Sequence, residues 1–322
     1  MEIEYAQSYK QSLIKIRQAQ NILLVTHEKP DCDAISSVGT MIELLEKMKK
    51  KYFAYCNDSA PHQYEFLPHA EKINSNKTIL NFPQYDLIMI FDCGGLNRTK
   101  LGEEIAHRQA SQYVIEFDHH IKIDDFADLE IRDSSAAATS EMMYDFFKIN
   151  NLKINKNIAQ CILAGTIMDS GNFFFPSTSP KTVQISSEML ALGASLPKIM
   201  INTYRNKSIQ SMKIWGKAMS GLQINKKYNL AFTILTKEDV AKINEEELEG
   251  VSNFIGNLHN VNGVMFLREQ EDGLIKGSLR SAHPTADMAK LAQVLGGGGH
   301  KKAAGFKIEG RLEKKGERWK II

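Results

Sequence analysis

Residues 26–35, THEKPDCDAI, place His27, Asp31 and Asp33 within seven positions, with a glutamate, a lysine and a proline among them. Just before lies a short apolar run, residues 22–25, and from 34 to 48 apolar side chains recur at helical spacing. A short apolar run with polar ends reads as a strand buried on both faces. The second pattern reads as an amphipathic helix, which Asp33 is placed to cap. Strand, ligand-rich loop and helix in that order open an α/β fold. In such sheets reactive side chains collect beyond the carboxyl ends of the strands. The loop is therefore a polar connection or one wall of a metal site.

The same juxtaposition recurs. DLIMIF, 86–91, is followed by Asp92, and YVIEF, 113–117, by Asp118, His119 and His120. A further strand is expected at 52–56, with helices around 140–148, 157–168 and 180–192. Apolar runs alternating with helices predict a mostly parallel sheet flanked by helices. Three ligand-bearing strand ends in one sheet argue for one pocket. From residue 204 to 224 a long helical stretch leads to a different rhythm: LAFTIL, GVMFLREQ, GLIKGSLRS, a helix near 285–295, and AAGFKIEG. This predicts a smaller α/β lobe with a mixed sheet. The expected organisation is a catalytic domain at 1–190, a connecting helix at 191–224 and a second domain at 225–322.

Bulk properties narrow the function. At 322 residues the chain is long enough for roughly two domains. Forty basic against 38 acidic residues leave a net charge of +2 with no basic tract, which disfavours a grip on long duplex nucleic acid and leaves short anionic substrates open. No apolar stretch approaches the ~20 residues of a membrane span, and the polar, acidic start is unlike a secretory signal. Cys32, Cys56, Cys93 and Cys161 form no CxxC pair. Cys32 and Cys93 adjoin candidate ligands, where oxidation would threaten them, so a cytoplasmic location is expected.

The candidate ligands are His27, Asp31, Asp33, Asp92, His119 or His120, and Asp169 in TIMDSGNF. Imidazole and carboxylate without thiolate suit Mn²⁺, Mg²⁺, Co²⁺ or Zn²⁺. The set exceeds what one ion needs and fits two, held about 3.5–4 Å apart across a shared carboxylate. Arg98 is placed as a phosphate clamp or as a solvated arginine at a helix start. The run Gly296 to Gly299 followed by His300 lacks the Lys-Ser/Thr ending of a P-loop. It makes a tight connection or an anion cradle. Residues 134–139, SSAAAT, suit a chain passing close to a metal or starting a helix. Phe173 to Phe175 suit core packing or base stacking.

Four segments, VTHEKPDCDAISS (25–37), FDCGG (91–95), FDHH (117–120) and AGTIMDSGNF (164–173), resemble in order the motifs of the DHH phosphoesterases. GSLRS (277–281) and GGGGHKKAAGF (296–306) resemble the substrate-binding DHHA1 domain attached to that family. The two-lobed arrangement is similar to the bacterial enzymes that degrade very short RNA and remove the 3′-phosphate of 3′-phosphoadenosine 5′-phosphate (pAp).

The resemblance implies that His27 and Asp31 hold one metal, that Asp33, His119 and Asp169 hold the other, and that Asp92 bridges them. His120 would touch the scissile phosphate or orient a ligand, making His120, Asp92 and Asp33 the catalytic set. Arg280, Ser281, Gly298, Gly299 and His300 would grip the far end of the substrate. The expectation is a manganese-dependent phosphodiesterase, with magnesium or cobalt as alternative ions, in which a hydroxide held between the metals attacks phosphorus. Short oligoribonucleotides would yield 5′-nucleotides, and pAp would yield AMP and phosphate. Cyclic di-AMP and pApA are the alternative substrates. Pyrophosphate, polyphosphate and a non-catalytic nucleotide-binding regulator come after them. Expected partners are these short nucleotides, no membrane, and a second copy of the chain as a homodimer.

Overall fold

The computed structural model describes residues 2–248, 250–270, 272–283, 285–299, 301–316 and 318–322. The chain divides into two compact units, Met1–Asn206 and Lys207–Ile322.

In the first unit, strands β1 (Asn21–Thr26), β2 (Lys51–Tyr55), β3 (Ile73–Asn74), β4 (Leu87–Phe91), β5 (Tyr113–Asp118) and β6 (Leu129–Arg132) form one sheet. Its order is β3-β2-β1-β4-β5-β6, and every pair is parallel. The apolar runs are continuous because both faces are covered. Leu24, Met89, Ile115 and Phe117 join the larger core, whereas Leu23, Val25, Ile88, Ile90 and Val114 join the smaller one on the alternate side.

Around the sheet lie helices α1 (Glu2–Gln18), α2 (Cys32–Lys47), α3 (Gly102–Ala106), α4 (Thr139–Ile149), α5 (Lys156–Asp169), α6 (Pro180–Ala191) and α7 (Leu196–Thr203). The polar N-terminal segment proves to be α1, which buries Tyr9, Leu13 and Ile16 at helical spacing.

Register and order place the site. Thr26 pairs with Phe91, and Phe91 with Phe117, so the chain leaves β1, β4 and β5 side by side with His27, Asp92 and Asp118 as its next residues or last strand position. Strand order reverses between β1 and β4, the place where an open parallel sheet leaves a crevice at its carboxyl edge.

One local expectation is corrected. Asp31, not Asp33, caps α2: its Oδ1 accepts the N–H groups of Asp33 and Ala34, both at 3.1 Å. Asp33 lies inside the first turn, and its carboxylate is engaged elsewhere.

The second unit begins with α8 (Ile209–Ser220), and the expected long helix across 204–224 is broken, because Ser208 caps α8 after α7 has ended at Thr203. A six-stranded mixed sheet follows: β7 (Gln223–Asn225), β8 (Leu230–Leu235), β9 (Gly263–Glu269), β10 (Leu274–Ser281), β11 (Gly298–Gly299) and β12 (Ala303–Glu309). Its order is β11-β12-β10-β9-β8-β7, with β8 and β9 parallel and the other pairs antiparallel. Among the described residues no helix is long and apolar enough to cross a membrane.

Candidate active site

The loop after β1 supplies His27 and Asp31. His27 is buried, and its Nδ1 lies 2.7 Å from the Glu28 carbonyl, which can only accept. Arg98 Nη2, which can only donate, lies 3.0 Å from the same nitrogen, so a carbonyl and a guanidinium compete for Nδ1 and either ring nitrogen can carry the proton. Nε2 faces Asp31 Oδ2 at 3.8 Å and Asp92 Oδ2 at 3.9 Å. These separations are too long for hydrogen bonds. A ring nitrogen facing two carboxylates beyond hydrogen-bond distance is an arrangement that suits ligands around one cation.

The loop after β5 repeats the device. His119 Nδ1 lies 3.3 Å from the Ala136 carbonyl, and Nε2 faces Asp169 Oδ2 at 3.3 Å and Asp92 Oδ1 at 3.5 Å. The Ala136 carbonyl thus orients the His119 ring, as the outer contacts of metal-binding histidines usually do. Burial lowers the His119 pKa, but Asp169, Asp33 and Asp118 together raise it past its ordinary value.

Asp92 stands between the two groups. It leaves β4 with φ +58°, in the left-handed region that aspartate tolerates better than most residues. Its N–H donates to the Phe117 carbonyl at 2.9 Å, and Oδ1 accepts from Thr139 Oγ1 at 2.9 Å. Burial and the neighbouring Asp33, Asp31 and Asp169 push its carboxyl well above the usual range. Asp33 is equally buried: Oδ2 accepts the Thr139 N–H at 2.6 Å, and Oδ1 the Ser140 N–H at 2.9 Å. Ala138, the residue preceding α4, offers no side-chain cap, so Asp33 closes that helix from α2.

Two groups of ligand atoms result, each within 4.8 Å: His27, Asp31 and Asp92, and Asp33, His119 and Asp169. Asp92 also groups with His119 and His120. Mutually repelling carboxylates gathered beside two imidazole nitrogens fit divalent cations. Cys32 and Cys93 add no thiolate, because burial, first of all, raises both thiols well above their usual pKa. Both are almost fully buried, contrary to the expectation that they are exposed to oxidation. The donors are therefore oxygen and imidazole nitrogen, which favour harder ions over soft ones.

His120 is set by Asp118, whose Oδ1 accepts both the His120 N–H and Nδ1–H at 2.8 Å. The other oxygen accepts the Gly94 N–H at 2.6 Å, tying this loop to the one after Asp92. Burial would raise the Asp118 carboxyl, but His120, with Arg132 behind it, holds it down to about 2. Arg132, at the end of β6, donates to the His120 carbonyl at 2.7 Å and to Glu116 Oε1 at 2.6 Å. Sequence reading missed Arg132 because it lies in no recognisable motif. It also left open whether 134–139 served a helix or a metal. Its last residue, Thr139, begins α4 and also bonds to the candidate ligands Asp33 and Asp92. Arg98 lies at the pocket, its Nη1 donating to the Cys93 carbonyl at 3.1 Å and its Nη2 3.0 Å from His27 Nδ1.

In the second unit, β12 lies between the other candidates: Arg280 pairs with Ala303, and Gly298 and Gly299 with Gly305 and Ala304. The Arg280 guanidinium donates to Asn253 Oδ1 at 2.7 Å and to the Leu279 carbonyl at 2.9 Å. Ser281 Oγ donates to the His283 carbonyl at 2.7 Å. Gly299 has φ +138° and so little room that a Cβ would lie 2.6 Å from Ala304 Cα, whereas Gly298 faces open space. His300 lies outside the described residues.

Carboxylates and imidazoles gathered for hard cations at the edge of a parallel sheet suit phosphoester hydrolysis. The chain carries a DHH family N-terminal domain, matched over residues 21–166, and a DHHA1 domain, matched over residues 229–319. Similarity to the DHH phosphoesterases, a metal-dependent class, implies a hydrolase. The chain is 26% identical over 293 residues to the bifunctional oligoribonuclease and PAP phosphatase NrnA of Bacillus subtilis, covering 89% of each chain. Similarity to the protein of the same name from Thermus thermophilus is 27% over 290 residues, 90% of this chain and 84% of that one. An exopolyphosphatase-related protein from Bacteroides fragilis superposes with a TM-score of 0.87 at 28% identity, covering 94% of this chain and 92% of the other.

Proposed function

We propose that this protein hydrolyses short oligoribonucleotides to 5′-nucleotides and pAp to AMP and phosphate. The observation that carries the proposal is Asp92, whose two carboxylate oxygens face two separate imidazole–carboxylate groups. His27, Asp31 and Asp92 would hold one divalent cation, manganese by preference. Asp33, His119 and Asp169, with the other oxygen of Asp92, would hold the second. Bound there, such ions supply a nucleophile near neutral pH and offset charge on phosphoryl oxygens.

The remaining work falls to the chain. Asp118 holds the Nδ1 proton of His120, so His120 presents a fixed tautomer to the phosphate. Arg132 and Asp118 fix the loop that carries it. Arg98, braced on the Cys93 carbonyl, contributes positive charge beside the pocket. In the second unit Arg280, Ser281, Gly298, Gly299 and His300 are the candidates for holding the far end of a short substrate. Similarity to the two NrnA proteins over most of the chain supports this choice of substrates.

The test is product analysis with Mn²⁺ on pAp, pApA, cyclic di-AMP, inorganic polyphosphate and RNAs from dinucleotides to long transcripts, with Asp169→Asn in parallel. The expected result is that pAp and the shortest RNAs turn over fastest and that the variant is inactive. Turnover confined to pApA, cyclic di-AMP or polyphosphate would overturn the substrate assignment.

A further inference from the structure

Directly after Asp169 the chain reads SGNFFFP, residues 170–176, three aromatic side chains in succession. None of the three is absorbed by a core: Phe174 is 75% exposed, Phe175 42% and Phe173 36%. The Phe175 ring lies over Gly171, where a Cβ would sit 2.7 Å from it, which leaves Phe174 the most open of the three.

The turn that presents them is held in an unusual shape. Gly171, Asn172 and Phe173 have φ of +60°, +58° and +67°. For a phenylalanine the left-handed region is strained, and such strain persists only where surrounding contacts impose it. Here the Phe173 N–H donates to Ser170 Oγ at 3.2 Å and the Phe175 N–H to the Ser170 carbonyl at 2.9 Å. The turn therefore closes on the end of α5, which keeps Phe174 nearer Asp169 than its five-residue separation would allow an extended chain.

A second apolar rim follows His120, where Ile121 is 68% and Ile123 75% exposed. This loop is tied down by Asp124 Oδ2, which accepts the Leu96 N–H at 2.9 Å. Exposed flat and branched apolar side chains thus follow, within a few residues, Asp169 and His120 of a cluster suited to cations and phosphate. A ligand that joins a phosphate to a flat aromatic ring matches both features, and a bare phosphate chain matches only one.

We propose that Phe174, with Phe173 beside it, is a stacking platform for the nucleobase adjoining the scissile phosphate. The inference rests on the phosphoesterase reading above and gives it a specificity determinant. Every base has a π-face, so the platform tolerates any sequence while favouring nucleotides over inorganic polyphosphates.

The experiment compares wild type, Phe174→Ala and Phe174→Trp on a 5′-phosphorylated diribonucleotide and on two versions of it, each with one abasic sugar. Phe174→Ala is expected to raise KM for the complete dinucleotide roughly tenfold or more, and Phe174→Trp is expected to keep it low. On one of the two abasic substrates, wild type and Phe174→Ala should share the same KM. An unchanged KM for the complete dinucleotide, or an equal rise for all three substrates, would overturn the platform. Failure of the wild type to cleave the complete dinucleotide would remove the functional reading together with the platform. Cleavage with an unaltered KM in Phe174→Ala would remove the platform alone.

Discussion

Asp33 on α2 accepts the backbone N–H of Thr139 at 2.6 Å across 106 positions of sequence, so a candidate metal ligand is also the cap of another helix. Its second oxygen accepts the next N–H of α4, from Ser140. The two roles separate by substitution. Asp33→Ala leaves both N–H groups buried without an acceptor, at a cost of about 2 kcal/mol or more. Asp33→Asn keeps one acceptor and removes a buried carboxylate that neighbouring aspartates repel. Urea unfolding without added metal is expected to show a large loss for the alanine variant and little for the asparagine variant, with both inactive. Equal unfolding midpoints for the two would contradict the capping role.

Glycine positions offer a contrast between fold and function. A Cβ on Gly165 would lie 2.1 Å from Ser140 Oγ and 2.6 Å from Asp33 Oδ1, so α5 can approach the site only without a side chain there. Gly165→Ala is expected to destabilise by about 1–3 kcal/mol, as overpacking does, and to abolish turnover. Gly298→Ala meets nothing within 4 Å and should leave thermal stability unchanged. A raised KM in that variant would report on substrate contact alone.

Glu116 provides a pH signature. Burial pushes its carboxyl up to about 7 against the pull of Arg132, from an ordinary 4.5. A raised acid favours the protonated folded state. Its contribution is therefore complete below about pH 4.5 and is lost as pH rises through about 7. Subtracting the stability of Glu116→Gln from that of wild type across this range should give a difference that falls as pH rises. A flat difference would show that Glu116 titrates normally.

Metal removal should act on folding as well as on turnover. Ions bound only by the folded protein stabilise it by about 2.7 kcal/mol at a free concentration one hundred times Kd. Calorimetry is expected to show Tm falling on addition of chelator and recovering with excess Mn²⁺. Asp92→Asn should lose most of that response. If Tm of the wild type ignores divalent ions altogether, the proposed metal centre is wrong.

The parallel sheet is legible in sequence wherever a strand is covered on both faces, because Ile22, Leu23, Leu24 and Val25 then read as one run. β3 and β6 escape such reading: the first has two residues and the second alternates in burial. The N-terminal helix is masked by its polar face, and the long helix expected across 204–224 ignored the capping capacity of Ser208. The candidate ligands are visible because strand ends and ligand residues coincide in order along the chain. What a line of sequence does not carry is contact between distant segments. The support of His120 by Arg132 depends on the register of β5 with β6, and the fit of Gly165 against Asp33 depends on how α5 packs on α2.

The left-handed turn at Asp92 has a genetic corollary. Aspartate and asparagine codons differ by a single base, and both side chains accept this backbone conformation. A point mutation can therefore silence the centre while leaving the turn, and the exit from β4, in place. Most other replacements would disturb the backbone as well. A lineage that traded turnover for simple retention of a nucleotide would find its shortest path at this codon, and the return path is equally short.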